Sequence, residues 1–120
     1  MKEVYDMFCA AGVRFLAVCE GSQPHLKPFE SFFFHEGRLY FHTGRAETVT
    51  RQLRLNPRLE ICAMLEDGRV NLEGSAVLDN DRAVRSALLS DDDAGELWYL
   101  RNCTLTCYSL DEPPKSRRIV

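Results

Sequence analysis

His42-Thr43-Gly44-Arg45 ends an apolar run and leads into a helical pattern that begins near residue 46. At such a corner the backbone N–H groups of Gly44, Arg45 and Ala46 can open toward an anion, as they do where helices begin. Arg45 and Arg51 add positive charge. Lys27 lies on the preceding, hairpin-paired strand, where it could face the same end. One reading of this corner is a phosphate cradle. The other is a strand–helix corner with a capping threonine and two exposed arginines.

Elsewhere the residues declare no catalytic motif. Ser31 and Ser109 fall within strand patterns, and neither sits in a GxSxG turn. His25, His35 and His42 lack HExxH or Cys/His metal spacing, so no metal site is expected and no catalytic residue is assigned. Gly21 and Gly37 read as turn glycines. The run Asp91–Asp93 reads as a solvated loop. The five cysteines have no CxxC spacing and are expected to be buried, reduced thiols that pack as small hydrophobes.

The elements that must position the corner follow from periodicity. Val4, Met7, Phe8 and Ala11 predict a helix over 2–11, stopped by Gly12. Strands are predicted over 14–20, 25–34 and 39–43, with a turn at 21–24 and a hairpin at 35–38. A helix over about 46–55 ends at Asn56-Pro57, because the residue before a proline is biased away from helix. Strands over 58–66 and 69–80 flank the hairpin signal Asp67-Gly68. In the second, Val70, Leu72, Ala76 and Leu78 share one face, with Asn71, Glu73 and Ser75 opposite. Gly74 breaks the pattern and predicts a bulge or a close backbone approach. A helix over 80–90 with Ala83, Ala87 and Leu88 inward, a loop at 91–95 and a closing strand over about 102–110 complete the order. Strands joined mostly by hairpins predict a mainly β protein with flanking helices, an antiparallel sheet curled into a barrel.

At 120 residues, 45% of them apolar, the chain suits one domain, taken as 1–110, with 111–120 an extended tail. A chain this small cannot enclose a large cofactor and keep a full core, so a cofactor site belongs in a surface cleft or between subunits. A net charge of −3 with both signs interspersed excludes an electrostatic nucleic-acid binder. No apolar run approaches the roughly 20 residues of a membrane span, and the N-terminal stretch is not a secretory signal. A cytoplasmic protein is expected.

From Lys27 to Gly74 the order of features resembles the FMN-binding core of the pyridoxamine 5'-phosphate oxidase-like split-barrel family. Lys27-Pro28-Phe29 lies on a strand, Glu36-Gly37 turns into Leu39-Tyr40-Phe41, and Thr43 precedes a helix ending in Gln52-Leu53. Asn56-Pro57 and Leu59-Glu60-Ile61-Cys62 follow, then a strand ending in Leu72-Glu73-Gly74. The closing stretch 99–109 is similar to the last strand of the small, single-domain members. The resemblance implies a six-stranded antiparallel split β-barrel that works as a homodimer, with FMN at the subunit interface and a small-molecule substrate. By position, Lys27, Pro28 and Phe29 would line the flavin, and His42 and Thr43 would sit near the phosphate and ribityl chain. Arg45 and Thr48 would lie in the phosphate loop, with Arg51 as a further cation. Asn71 and Trp98 would approach the flavin, the alternative for Trp98 being a core or interface aromatic.

Relatives carry Lys or Arg near the first turn of that helix, where this chain has Glu47, Thr48 and Val49, and often Arg where Asn71 stands. The C-terminal segment that true pyridoxamine-phosphate oxidases use to hold substrate is missing. Two functions follow from the resemblance. One is an FMN oxidoreductase that is not a pyridoxamine-phosphate oxidase. The other is a non-catalytic module whose pocket has drifted to weak FMN, haem, another cofactor or nothing.

Overall fold

Side-chain alternation sets the sheet. In Arg58–Leu65, Leu59, Ile61 and Ala63 are buried while Arg58 and Met64 are exposed, and this period of two commits one face to the core. The computed structural model describes residues 1–45 and 47–119. Its elements are α1 (Lys2–Ala10), β1 (Val13–Glu20), β2 (Gln23–Pro28), β3 (Phe32–His35), β4 (Arg38–Thr43), α2 (Thr48–Leu55), β5 (Arg58–Leu65), β6 (Gly68–Leu78), α3 (Arg82–Leu88), β7 (Glu96–Ser109) and β8 (Lys115–Arg118). The strand order is β2-β1-β5-β6-β7-β4-β3, with β8 on β7. Every pairing among the described residues is antiparallel.

Closure of the sheet follows from one short link. β2 and β3 stand at opposite ends of the path, yet only residues 29–31 separate them. Four peptide steps reach at most about 14 Å, so the two ends must curl together. Phe29 N–H donates to Arg14 O of β1, and His42 N–H of β4 donates to Ser31 O, each at 3.0 Å. The link is thereby stitched to both sides of the gap. The result is a split antiparallel β-barrel with, among the described residues, three flanking helices.

Among the described residues the barrel has eight strands rather than the expected six. The predicted strand 25–34 is two strands, because Pro28 offers no ladder donor and Phe29 turns into the core, 3% exposed. The predicted tail contains β8, which covers the edge of β7 from Thr104↔Arg118 to Cys107↔Lys115. An uncovered edge leaves unpaired N–H and C=O groups, and Arg117 ties the new strand to Glu3 of α1 at 2.6 Å. The closing strand begins at Glu96 instead of about 102. Its alternation is interrupted where Asn102 (φ 55°) and Cys103 together oppose Gly74, a bulge in the β6–β7 ladder. Gly74 meets the expectation of a close approach: a Cβ there would lie 2.7 Å from Cys103 Sγ.

The core is aromatic at the end that α1 plugs. Phe8 meets Phe29 and Phe32 edge-on, Phe29 stacks on Phe32 at 5.3 Å, and Phe41 stacks on Trp98 at 6.5 Å. Arg14 donates to Phe8 O, Ala11 O and Phe29 O, fixing α1 to the link. The Glu36-Gly37 hairpin has positive φ at both residues (47° and 79°), as the tightest strand-matching turn requires.

Two further expectations are corrected. No residue of α3 is buried: Ala83 and Ala87 are exposed and Leu88 is half-buried. The helix is held by polar contacts, the Asp81 cap on Ala83 and Val84 N–H and the bonds of Arg85 described below, rather than by an apolar face. Of the five cysteines only Cys103 is buried, and burial pushes its thiol up to about 11. Cys9 is exposed on α1, and Cys19, Cys62 and Cys107 are half-buried. No described helix is long and apolar enough to cross a membrane.

Candidate functional site

At the split the barrel opens into a cleft of about 220 Å³. The end of β2 and the link contribute Lys27, Pro28, Phe29, Glu30 and Ser31. β4 contributes Phe41, His42 and Thr43, β1 contributes Leu16, and Glu47 comes from the corner before α2. Three buried apolar side chains, Leu16, Phe29 and Phe41, form part of the wall, and the polar groups gather near the β4–α2 corner.

Glu47 dominates that corner. Its Oε2 accepts from Lys27 Nζ at 2.5 Å, and its Oε1 accepts from Gly44 N–H at 2.6 Å. Lys27, with the Gly44 N–H second, holds the Glu47 carboxyl below the usual carboxylate range. Of the groups expected to face a phosphate, Lys27 and the Gly44 N–H thus both face a side chain of the same protein. The sequence signal was the acidic residue itself at that helix start. Which way its side chain turns was not legible.

Behind the cleft, Thr43 is 3% exposed. Its Oγ1 accepts from Trp98 Nε1–H at 2.9 Å. Thr50 Oγ1 lies 2.7 Å from Thr43 Oγ1 and 2.8 Å from Gly44 O. Each hydroxyl has one proton, so one arrangement satisfies all groups: Trp98 donates to Thr43, Thr43 to Thr50, and Thr50 to Gly44 O. This chain fastens β7, β4 and α2 to one another under the corner.

His42 is oriented from the other side. Its Nε2 lies 3.0 Å from Asp93 Oδ1, which also accepts from Gly95 N–H at 2.7 Å. The Gly95 N–H and then His42 hold the Asp93 carboxyl below its usual range. An ionised carboxylate can only accept, so Nε2 is the nitrogen that donates to Asp93. Arg85 of α3 donates to Gly95 O at 2.9 Å and Asp93 O at 3.0 Å, fixing the turn. Asp93, read as part of a solvated loop, is therefore a neighbour of the candidate site that sequence reasoning missed. Its partner stands 51 positions away.

Of the ten positions singled out from the sequence, five meet in the cleft: Lys27, Pro28, Phe29, His42 and Thr43. The other five do not. Arg45 is exposed on the turn, and Thr48 is exposed at the first position of α2. Arg51 turns to Glu20 at 3.3 Å. Asn71 sits on the outward face of β6, accepting from Arg69. Trp98 is buried in the core behind Thr43, 2% exposed. Ala46, part of the expected anion cradle, lies outside the described residues.

No family model matches the chain, and no curated protein matches it. Solved structures do. A NimC/NimA family protein from Clostridium acetobutylicum is 27% identical over 99% of this chain and 92% of its own, with a TM-score of 0.87. A protein of the same organism related to general stress protein 26, of the pyridoxinephosphate oxidase family, is 16% identical over 98% and 93%, with a TM-score of 0.75. A haem-binding protein from Mycobacterium smegmatis is 16% identical over 92% of this chain with a TM-score of 0.71, and the match spans 54% of its length. With its split barrel, flanking helices and near end-to-end superposition on the first two of these structures, the chain has the pyridoxamine 5'-phosphate oxidase-like split-barrel fold.

Proposed function

We propose that the cleft is one half of a flavin site, closed by a second copy of the chain, and that the protein is an FMN-using oxidoreductase acting on a small molecule. The observation that carries this reading is the convergence of Lys27, Pro28, Phe29, His42 and Thr43, from two separate chain segments, on one cleft at the barrel split. The cleft on one protomer is about 220 Å³, below the roughly 300–1,000 Å³ of ligand pockets, so a second wall is needed. An apolar face beside it is suited to supply one. Val13 and Met64 face each other across β1 and β5, 47% and 45% exposed, and Leu26 on β2 is 69% exposed. Pro28, which lines the cleft, pairs with Phe15 on that same face.

The residues suit a planar ring better than they suit its phosphate. Leu16, Phe29 and Phe41 offer an apolar wall, and His42 offers a fixed polar atom. A bound flavin supplies hydride or electron chemistry, and the protein supplies orientation and exclusion of water. The haem-binding similarity and one observation favour a second reading, a binding module with weak FMN or another cofactor: the Lys27 charge is already neutralised by Glu47.

An absorbance spectrum of the purified protein, before and after adding FMN and removing the excess, tests the proposal. Flavin retained at one per subunit is the expected result. A colourless protein that retains none overturns it in favour of the binding module.

A further inference from the structure

We propose that Glu47 is an internal anion that occupies the phosphate position of the cleft, so that a phosphate-bearing ligand enters only by displacing it. Three observations meet here. First, the carboxylate engages two donors at once, Lys27 Nζ of the cleft wall through Oε2 and the Gly44 N–H of the adjoining corner through Oε1. These are the cation and backbone donor a phosphate at this corner would use. Second, the carboxylate lies against the bare Cα of residue 44. A Cβ there would lie 2.8 Å from Glu47 Oε1, and Glu47 N–H donates back to Gly44 O at 3.1 Å, closing a tight turn. Third, the charge of the cleft wall opposes a further anion, and Arg45, exposed on the adjoining turn, is not among the lining residues. Among the described residues lining the cleft, Lys27 is the one lysine or arginine, against Glu30 and Glu47, while Arg51 turns to Glu20. A dianion added beside an intact Lys27–Glu47 pair meets net negative charge.

Granted the cleft as the ligand site, this deepens the flavin reading into a statement about the phosphate: its presence gives no advantage in the wild-type protein. The wild-type cleft accepts the unphosphorylated ligand as readily as the phosphorylated one. Glu47 is then the specificity-determining residue, and its removal creates a phosphate site from groups already in place.

The test uses the full chain, Glu47→Gln and Glu47→Ala, titrated with inorganic phosphate against chloride at matched ionic strength. Amide proton–nitrogen spectra show that each variant is folded and report Gly44 N–H directly. In both variants the Gly44 amide should move saturably, with phosphate affinity about tenfold or more above wild type, the scale of removing one like charge at contact distance from a dianion. Equal response in wild type and variants, or no response in any of them, overturns the proposal. FMN and riboflavin titrations separate the two readings. If wild type binds both equally and Glu47→Gln prefers FMN about tenfold, both stand. If neither flavin binds while Gly44 responds to phosphate as expected, the internal anion stands and the flavin reading falls. If wild type prefers FMN as strongly as the variants do, the internal anion falls and the flavin reading stands.

Discussion

The His42 imidazole occupies space that exists because residue 95 has no side chain. A Cβ on Gly95 would lie 2.1 Å from His42 Nε2 and 2.7 Å from Thr43 O. Thr43 O is backbone and cannot move aside as a side chain would. Gly95→Ala should therefore displace His42 from Asp93 and cost about 1–3 kcal/mol, as overpacking usually does. Urea unfolding measures the loss, and imidazole nitrogen shifts report whether Nε2 still bonds to Asp93. Unchanged stability and shifts would show that the turn relaxes freely.

Thr43 is the acceptor for the buried Trp98 indole. Every buried side-chain nitrogen and oxygen among the described residues has a partner, so deleting this acceptor leaves a conspicuous orphan. Thr43→Val should destabilise by about 1–3 kcal/mol, the cost of an unsatisfied buried donor. Thr43→Ser should recover most of the loss. Denaturation followed by Trp98 emission gives both numbers. If the valine and serine variants lose equally, packing rather than the hydrogen bond is what Thr43 supplies.

Glu60 and Glu73 stand directly opposite across β5 and β6. Burial first, then the Glu73 charge, pushes the Glu60 carboxyl above its usual range. An acid raised in the folded state binds its proton more tightly there, so stability is greatest below the unfolded pKa and falls as pH rises through the raised one. Glu60→Gln should stabilise by about 0.2–1 kcal/mol near neutral pH and change little in acid. Unfolding midpoints at the two pH values decide it, and an equal shift at both excludes a charge effect. Asp93 and Glu47, held low, run the other way: their contributions are present above the unfolded carboxylate range and lost as pH falls through their folded values.

The exposed face of Val13, Leu26 and Met64 should be covered in solution. Light scattering is expected to give twice the chain mass of 13.7 kDa. Met64→Lys, which places a charge on that face without touching the core, should give monomers and weaken flavin retention together. A wild-type monomer at micromolar concentration removes the two-subunit site.

Thiol chemistry should follow exposure. Cys9 is expected to react first with a disulfide reagent in the native protein, and Cys103 only on unfolding, since its thiol is buried and pushed up to about 11. Early labelling at Cys103 would mean that the β6–β7 bulge opens readily.

Local order was legible in the residues. Period-two alternation in 58–65, the Asp67-Gly68 and Glu36-Gly37 turns, and Asn56-Pro57 after α2 marked elements whose causes lie within a few residues of themselves. The sequence of hairpins then restricted the sheet to an antiparallel barrel, and the resemblance placed Lys27, Pro28, Phe29, His42 and Thr43 at one site. Elements depending on distant partners were not legible. The split between β2 and β3 is set by pairing with β1 and β4 at opposite ends of the sheet. β8 exists because β7 has an edge to cover, and the early start of β7 is masked by the Asn102 bulge. The same reason governs the site. Asp93 and Gly95 matter through His42, more than 50 positions earlier in the chain, and Glu47 matters through Lys27, 20 positions away. Side-chain direction at a corner is decided by whichever charged group the tertiary fold brings within reach. The sequence determined that a carboxylate sits where a phosphate was expected, and only the closed barrel decided that it turns in to meet Lys27.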